Sequence, residues 1–165
     1  MTEPVELSVL SAGKGFAGRA FSAIYATAVT VSGGVGGREE ASGRARSRDG
    51  LLDLGLRMPA ESGGGGQGCR PEQLLAAGFA ACFHGALSLV ARQAALDPGP
   101  IAVEATVSLG RVVQDGGNRL RVDLVVRWPG TAREVAAPLL RKADSVCPYT
   151  RMTRDGAPAT VTLAR

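Results

Sequence analysis

The stretch from Pro71 to Ala95 constrains this chain most. It is an alanine-rich apolar run, entered from a loop with five glycines in residues 62–68 and stopped by Asp97-Pro98-Gly99-Pro100. Such punctuation on both sides predicts one long helix between them. Pro71 suits the first helical turn, where its missing N–H is no loss, and Glu72 lies close to the positive end of the helix dipole. Arg70, just before it, cannot cap the helix by accepting from the free N–H groups. A run this apolar should fold inward, and it carries Cys82 in Phe79-Ala80-Ala81-Cys82-Phe83. A second cysteine sits in another apolar stretch, Val146-Cys147-Pro148-Tyr149-Thr150. The two cysteines, with Pro71-Glu72-Gln73-Leu74 opening the first helix, point to thiol redox chemistry.

The remaining elements read as follows. β-Branched residues predict a strand over 21–32, ended by Gly33, Gly34, Gly36 and Gly37. A hairpin returns through 43–48, turns at Asp49-Gly50 and leaves along 51–58. Strands over 103–113 and 119–128 flank the turn Asp115-Gly116-Gly117-Asn118, with Val122, Leu124 and Val126 on a half-buried face. A second helix over 132–145 presents Val135, Leu139 and Leu140, and a last strand covers 159–163. Three strands, helix, two strands, helix and strand, without an internal repeat, make an α+β fold with antiparallel sheets. Residues 1–20 show no clear periodicity and are expected to be a flexible extension to a single domain over 21–165.

Composition narrows the partners. The 165 residues are 45% hydrophobic, enough for one domain with a core and too few for two full ones. A net charge of +4 with only 4% aromatic residues leaves little for binding nucleic acid. Glu3 and Glu6 stand where a secretory signal would carry positive charge, and no segment is expected to reach the roughly 18 apolar residues of a membrane span. A cytoplasmic protein without a membrane anchor is the expectation, and in that compartment cysteine pairs tend to be catalytic or redox-sensing.

The motifs together, Gly36-Gly37-Arg38, Pro71-Glu72-Gln73-Leu74, Ala80-Ala81-Cys82-Phe83 and Val146-Cys147-Pro148-Tyr149-Thr150, in this order, resemble the organic hydroperoxide resistance branch of the OsmC-like family from about Tyr25 to Leu163. The chain departs from that pattern at Arg70, where the family usually has Asn, and at Thr150, where it usually has Ser. The resemblance implies an intertwined homodimer with a central Cys-bearing helix, active as a thiol peroxidase without a cofactor. It implies that Cys82 attacks an alkyl or lipid hydroperoxide, that Cys147 closes a disulfide with it, that Arg38 and Glu72 pair beside Cys82, and that a lipoyl-bearing protein or another dithiol regenerates the thiols.

The chemistry asks for those residue types. A thiolate must attack one peroxide oxygen while the other leaves as alkoxide, and an ordinary thiol with a pKa of about 8.5 buried in an apolar helix stays protonated. Arg38 supplies the missing positive charge if its glycine-rich hairpin folds over Cys82, and its fork can hold the Glu72 carboxylate as well. Arg44, Arg46 or Arg48 could take its place. Glu72 precedes Cys82 by ten residues, about 15 Å along an unbroken helix, so it reaches the sulfur only if the helix breaks at Gly78 or if it comes from a second chain packed antiparallel against the small residues Gly78, Ala81 and Gly85.

Plainer roles compete at several positions. A lone helical cysteine is usually core, Glu72 alone could be a first-turn acid, and arginines on a hairpin are ordinarily a solvated face. Cys69 reads as an incidental thiol, and His84, two residues from Cys82, points in a different direction on a helix. The glycines at 33–37 fit no phosphate-binding fingerprint, and no Cys-x-x-Cys or His cluster suggests a metal. The alternative function is a non-enzymatic OsmC-like module that binds a lipid or senses redox state.

Overall fold

A computed structural model describes residues 5–11, 20–33, 43–57 and 68–163, the first of these by backbone alone. Among them the chain order is β1 (Val5–Ser11), β2 (Val29–Ser32), β3 (Arg44–Ser47), β4 (Asp53–Gly55), α1 (Pro71–Gln93), β5 (Ala102–Arg111), β6 (Asn118–Arg127), α2 (Arg133–Val146), α3 (Pro148–Asp155) and β7 (Ala159–Leu163). The class is α+β. The chain divides into two compact units, one of Met1–Ser22, Ala81–Val103 and Val126–Arg165, the other of Ala23–Ala80 and Glu104–Val125.

The second of these units contains the sheet β2-β3-β4 and most of the β5-β6 hairpin. β2 pairs antiparallel with β3 from Val29 opposite Ser47 to Ser32 opposite Arg44, and β3 pairs antiparallel with β4. The expected turn at Asp49-Gly50 joins β3 to β4: Gly50 has φ +75°, which glycine adopts without strain, and its N–H donates to the Ser47 carbonyl at 3.1 Å. Gly43 is required for a different reason. A Cβ there would lie 2.8 Å from Cγ1 of Val31 and 3.1 Å from the Ser32 carbonyl oxygen, so a side chain would force its neighbours on β2 to shift. β2 is shorter than the strand expected over 21–32, because residues 20–28 form no ladder and stand exposed. In the hairpin, Val103, Ala105 and Val107 of β5 and Val122, Leu124 and Val126 of β6 alternate half-buried with exposed neighbours, as their period of two predicts.

The first unit holds Cys82 and Cys147. Phe83, Leu87, Val90 and Ala91 form one buried face of α1, at the three- and four-residue spacing of a helix packed on one side. Ile101, Trp128, Ala143 and Cys147 complete the buried apolar set of this unit, and Ser88 and Thr150 are buried with them. The C-terminus of α1 closes with the N–H of Leu96 on the carbonyl of Ala91 and that of Ala95 on Arg92, both at 3.0 Å. This pattern needs a left-handed residue, supplied here by Ala95 at φ 57° rather than by glycine.

Three expectations are corrected. No element is expected before Phe21, yet Val5–Ser11 forms β1 and pairs antiparallel with β7, Val5 opposite Leu163. Val5-Glu6-Leu7-Ser8-Val9 does alternate, and what completes the strand is a partner more than 140 residues away, which no local window shows. The second expected helix ends at Val146, and α3 follows, because Pro148 is a favoured first-turn residue for a new helix. Finally, α1 is long and apolar enough by length and composition to cross a bilayer. Its buried Phe79, Phe83, Leu87 and Val90 are the mark of a core helix in a folded protein.

Candidate active site

Cys82 sits in the middle of α1, which runs without a break through Gly78. Arg70 gives no cap, as expected, but the helix start is tied from the other side: Oε1 of Gln73 accepts from the Arg70 backbone N–H at 2.8 Å, one half of a capping box. Cys147 is the single extended residue between α2 and α3, at φ −65° and ψ 121°. The residue before a proline is driven out of the helical region, so Pro148 sets this backbone. The Cys147 N–H still closes α2 on the Ala143 carbonyl at 2.8 Å, and its carbonyl opens α3 by accepting from the Arg151 N–H at 3.0 Å.

These two local structures bring the sulfurs together. The Cys147 thiol donates to Sγ of Cys82 at 3.5 Å, across 65 residues of sequence. Both are free thiols, and a disulfide of about 2.05 Å would need the sulfurs to approach by about 1.5 Å. Their exposure differs: Cys147 is completely buried, whereas Cys82 is half-buried. A reagent arriving from solvent therefore meets Cys82 first.

Burial pushes the Cys82 thiol above the usual range; the backbone N–H of Tyr149, which donates to the sulfur, draws it down, and the neighbouring Cys147 thiol adds to the rise. The described surroundings thus favour the neutral thiol, and ionisation at neutral pH calls for a cation.

The other expected residues stand as follows. Glu72, in the first turn of α1, is half-buried, and its Oε2 is buried without a hydrogen-bond partner among the described residues. Arg38 lies outside the described residues. Of its alternatives, Arg44 and Arg46 pair with the Asp53 carboxylate across β3 and β4 and are exposed. Cys69 is held by its backbone, its N–H on the Gly55 carbonyl and its carbonyl accepting from Arg57, and its sulfur makes only a weak contact with the Arg70 carbonyl at 3.7 Å. His84 is exposed. No group of three or more potential metal ligands exists among the described residues.

Three further groups stand next to Cys147 to which no motif assigns a role: the Tyr149 amide, the Thr150 hydroxyl and the Arg154 guanidinium. Thr150 is buried at 8% exposure, and its hydroxyl donates to the Asp144 carbonyl at 2.7 Å, with the Cys147 carbonyl at 3.2 Å. Arg154 donates to the same Asp144 carbonyl at 2.9 Å and to the Asp144 carboxylate at 2.8 Å. The signal for them was Pro148, which begins α3 and so brings these side chains back over the end of α2.

Residues 64–162 match the family described as OsmC-like protein. The chain is 45% identical over 131 residues to an organic hydroperoxide resistance protein of Xanthomonas axonopodis pv. citri, covering 78% of this chain and 89% of that one. Among solved structures it resembles the organic hydroperoxide resistance protein OhrB of Bacillus subtilis, at 40% identity and TM-score 0.67 over 82% of this chain and 95% of that one. It also resembles an organic hydroperoxide resistance protein from Elizabethkingia anophelis with bound thiocyanate, at 36% identity and TM-score 0.72 over 83% and 94%. With the cysteine pair in place on the same fold, the chain belongs to the organic hydroperoxide resistance group of the OsmC-like family.

Proposed function

We propose that this protein reduces organic hydroperoxides to alcohols in defence against oxidative stress, with Cys82 as the attacking sulfur and Cys147 as the resolving one. The observation that carries the reading is the sulfur pair itself, two free thiols at 3.5 Å, one open to solvent and one sealed. In the first step the Cys82 thiolate attacks the distal peroxide oxygen. The O–O bond breaks, the sulfur is oxidised to sulfenic acid, and the alkoxide takes a proton to leave as alcohol. In the second, the Cys147 thiol displaces hydroxide from the sulfenic sulfur, giving the Cys82–Cys147 disulfide and water. An external dithiol, a lipoyl-bearing protein by the family resemblance, then reduces the disulfide and is itself oxidised.

Arg38 supplies the charge that holds Cys82 ionised, and Glu72 orients it. Two observations support the pair: the Cys82 surroundings raise its pKa, and Glu72 carries a buried oxygen without a hydrogen-bond partner among the described residues. Ten residues of unbroken helix separate Glu72 from Cys82, so the carboxylate reaches the sulfur from a second protomer. An antiparallel crossing of two α1 helices centred on Ala77 sets Glu72 of one opposite Cys82 of the other. The exposed small residues Ala77, Ala81 and Gly85 suit it, and a Cβ on Gly85 would meet nothing within 4 Å. A homodimer would also cover the segment that leaves Phe21 74%, Ile24 100% and Tyr25 77% exposed. The cytoplasm suits the cycle because its reducing poise keeps the dithiol supplied.

Stopped-flow mixing of the reduced protein with cumene hydroperoxide tests the reading. Rapid consumption that Cys82→Ser abolishes, and catalytic turnover with a dihydrolipoyl reductant, are expected. Stoichiometric binding or a single slow oxidation without turnover would instead establish the non-enzymatic module, which the raised Cys82 thiol favours.

A further inference from the structure

The break between α2 and α3 has a chemical consequence. In a continuing helix the Asp144 carbonyl would accept the N–H four residues on, but that residue is Pro148, which has none. The vacancy is filled by side chains. The Thr150 hydroxyl donates to Asp144 O at 2.7 Å from a buried position, and Nη2 of Arg154 donates to the same oxygen at 2.9 Å. Nη1 of Arg154 holds the Asp144 carboxylate at 2.8 Å, so the last turn of α2 is fastened to α3 by three bonds on one residue. Cys147 lies at the apex of that fastening. Its two backbone dihedrals are set by Pro148 on one side, and the angle between the helices, hence the direction of its Cβ, is set by Thr150 and Arg154 on the other.

We infer that Thr150, backed by Arg154, is a positioning residue for disulfide closure: it aims the sealed Cys147 sulfur at Cys82 by replacing the hydrogen bond that Pro148 removes. The inference rests on the peroxidase reading for its place in a cycle, though not for its geometry. The two side chains are unequal. Asp144 and Arg154 are close to half exposed, so their ion pair is screened by water, whereas the buried Thr150 hydroxyl has no water to replace it. Removing the hydroxyl frees the helix angle and lengthens the path between the sulfurs. Peroxide still reaches the open Cys82, but the sulfenic acid waits longer for its partner and is exposed to a second peroxide, which oxidises it to sulfinic acid.

The test uses the full chain and separates the two chemical steps. Reduced protein is mixed with cumene hydroperoxide; peroxide loss is followed, and samples quenched with dimedone are resolved by mass into Cys82 sulfenic adduct, Cys82–Cys147 disulfide and Cys82 sulfinate. In Thr150→Val, closure should slow at least about tenfold more than peroxide loss does, with sulfinate appearing at peroxide excess that leaves the native protein as disulfide. Thr150→Ser, which keeps the hydroxyl, should close within about twofold of native, and Arg154→Met should slow closure by a few-fold. A role confined to stability would lower Tm without changing the ratio of the two rates. Closure in Thr150→Val at the native rate, or Thr150→Ser as slow as Thr150→Val, overturns the inference; if the valine variant does not fold, native-rate closure in Arg154→Met does so. A second arm uses diamide, which takes two electrons from the thiol pair to become the hydrazine and needs no peroxidase activity. If the native protein consumes no peroxide the functional reading fails, and the diamide arm still ranks the variants.

Discussion

If Arg38 holds Cys82 ionised, as proposed, Arg38→Met should leave the sulfur to surroundings that favour the neutral thiol, which gives the sign of the expected result. An ordinary thiol with a pKa of about 8.5 is roughly 3% ionised at pH 7. Burial, opposed by the Tyr149 amide and aided by Cys147, pushes Cys82 above that value, so without a cation its thiolate fraction at pH 7 falls below roughly 3%. Only the thiolate attacks peroxide. Each pH unit by which a guanidinium lowers the pKa multiplies the reactive fraction tenfold, until ionisation is complete. The native protein should therefore show a rate of Cys82 oxidation that is level across neutral pH. In Arg38→Met the rate should instead climb tenfold per unit and continue past pH 8.5 without levelling, with a loss at pH 7 of at least about 30-fold. The same sign appears in stability. In Arg38→Met, where burial leaves the folded pKa raised, the unfolded thiol ionises first as pH increases, so the Cys82 contribution is intact below about pH 8.5 and is lost progressively above it. The assay is single-turnover oxidation by cumene hydroperoxide between pH 5 and 10, followed by sulfenic acid trapping. A neutral plateau that survives in Arg38→Met, but disappears in Arg44→Met, Arg46→Met or Arg48→Met, would move the role to that residue. A plateau surviving all four would refute the argument that an arginine ionises the sulfur.

Two further outcomes are expected. Ala95→Gly relieves a left-handed alanine worth about 1–2 kcal/mol, less about 0.4–1 kcal/mol for the freer unfolded chain, and so should stabilise by roughly 1 kcal/mol, raising Tm by about 2–4 °C at fixed protein concentration; an unchanged or lower Tm would show that the turn at Ala95 is not left-handed. Cys69→Ser should leave peroxide turnover within about twofold and reduce the titratable thiols by one, since the position is held by backbone bonds to Gly55 and Arg57; a tenfold loss would give Cys69 a part in the cycle.

Much of this protein was legible residue by residue. The helix from Pro71 is bounded by proline and glycine, the turn at Asp49-Gly50 needs a positive φ, and the β6 alternation sets its faces; these are short-range constraints, and the structure follows them. The family was legible too, because both cysteines and Glu72 lie in short motifs. What depended on tertiary structure involved residues far apart. The pairing of β1 with β7 joins the two ends of the chain, so its evidence in any local window is weak. The 3.5 Å between Cys82 and Cys147 spans 65 residues, and no spacing rule gives it. Nor could the sequence show that one sulfur is open and the other sealed, or that a proline's missing N–H is answered by Thr150 and Arg154. Periodicity and turn chemistry act through neighbours along the chain, whereas burial and thiol proximity arise only when helices pack.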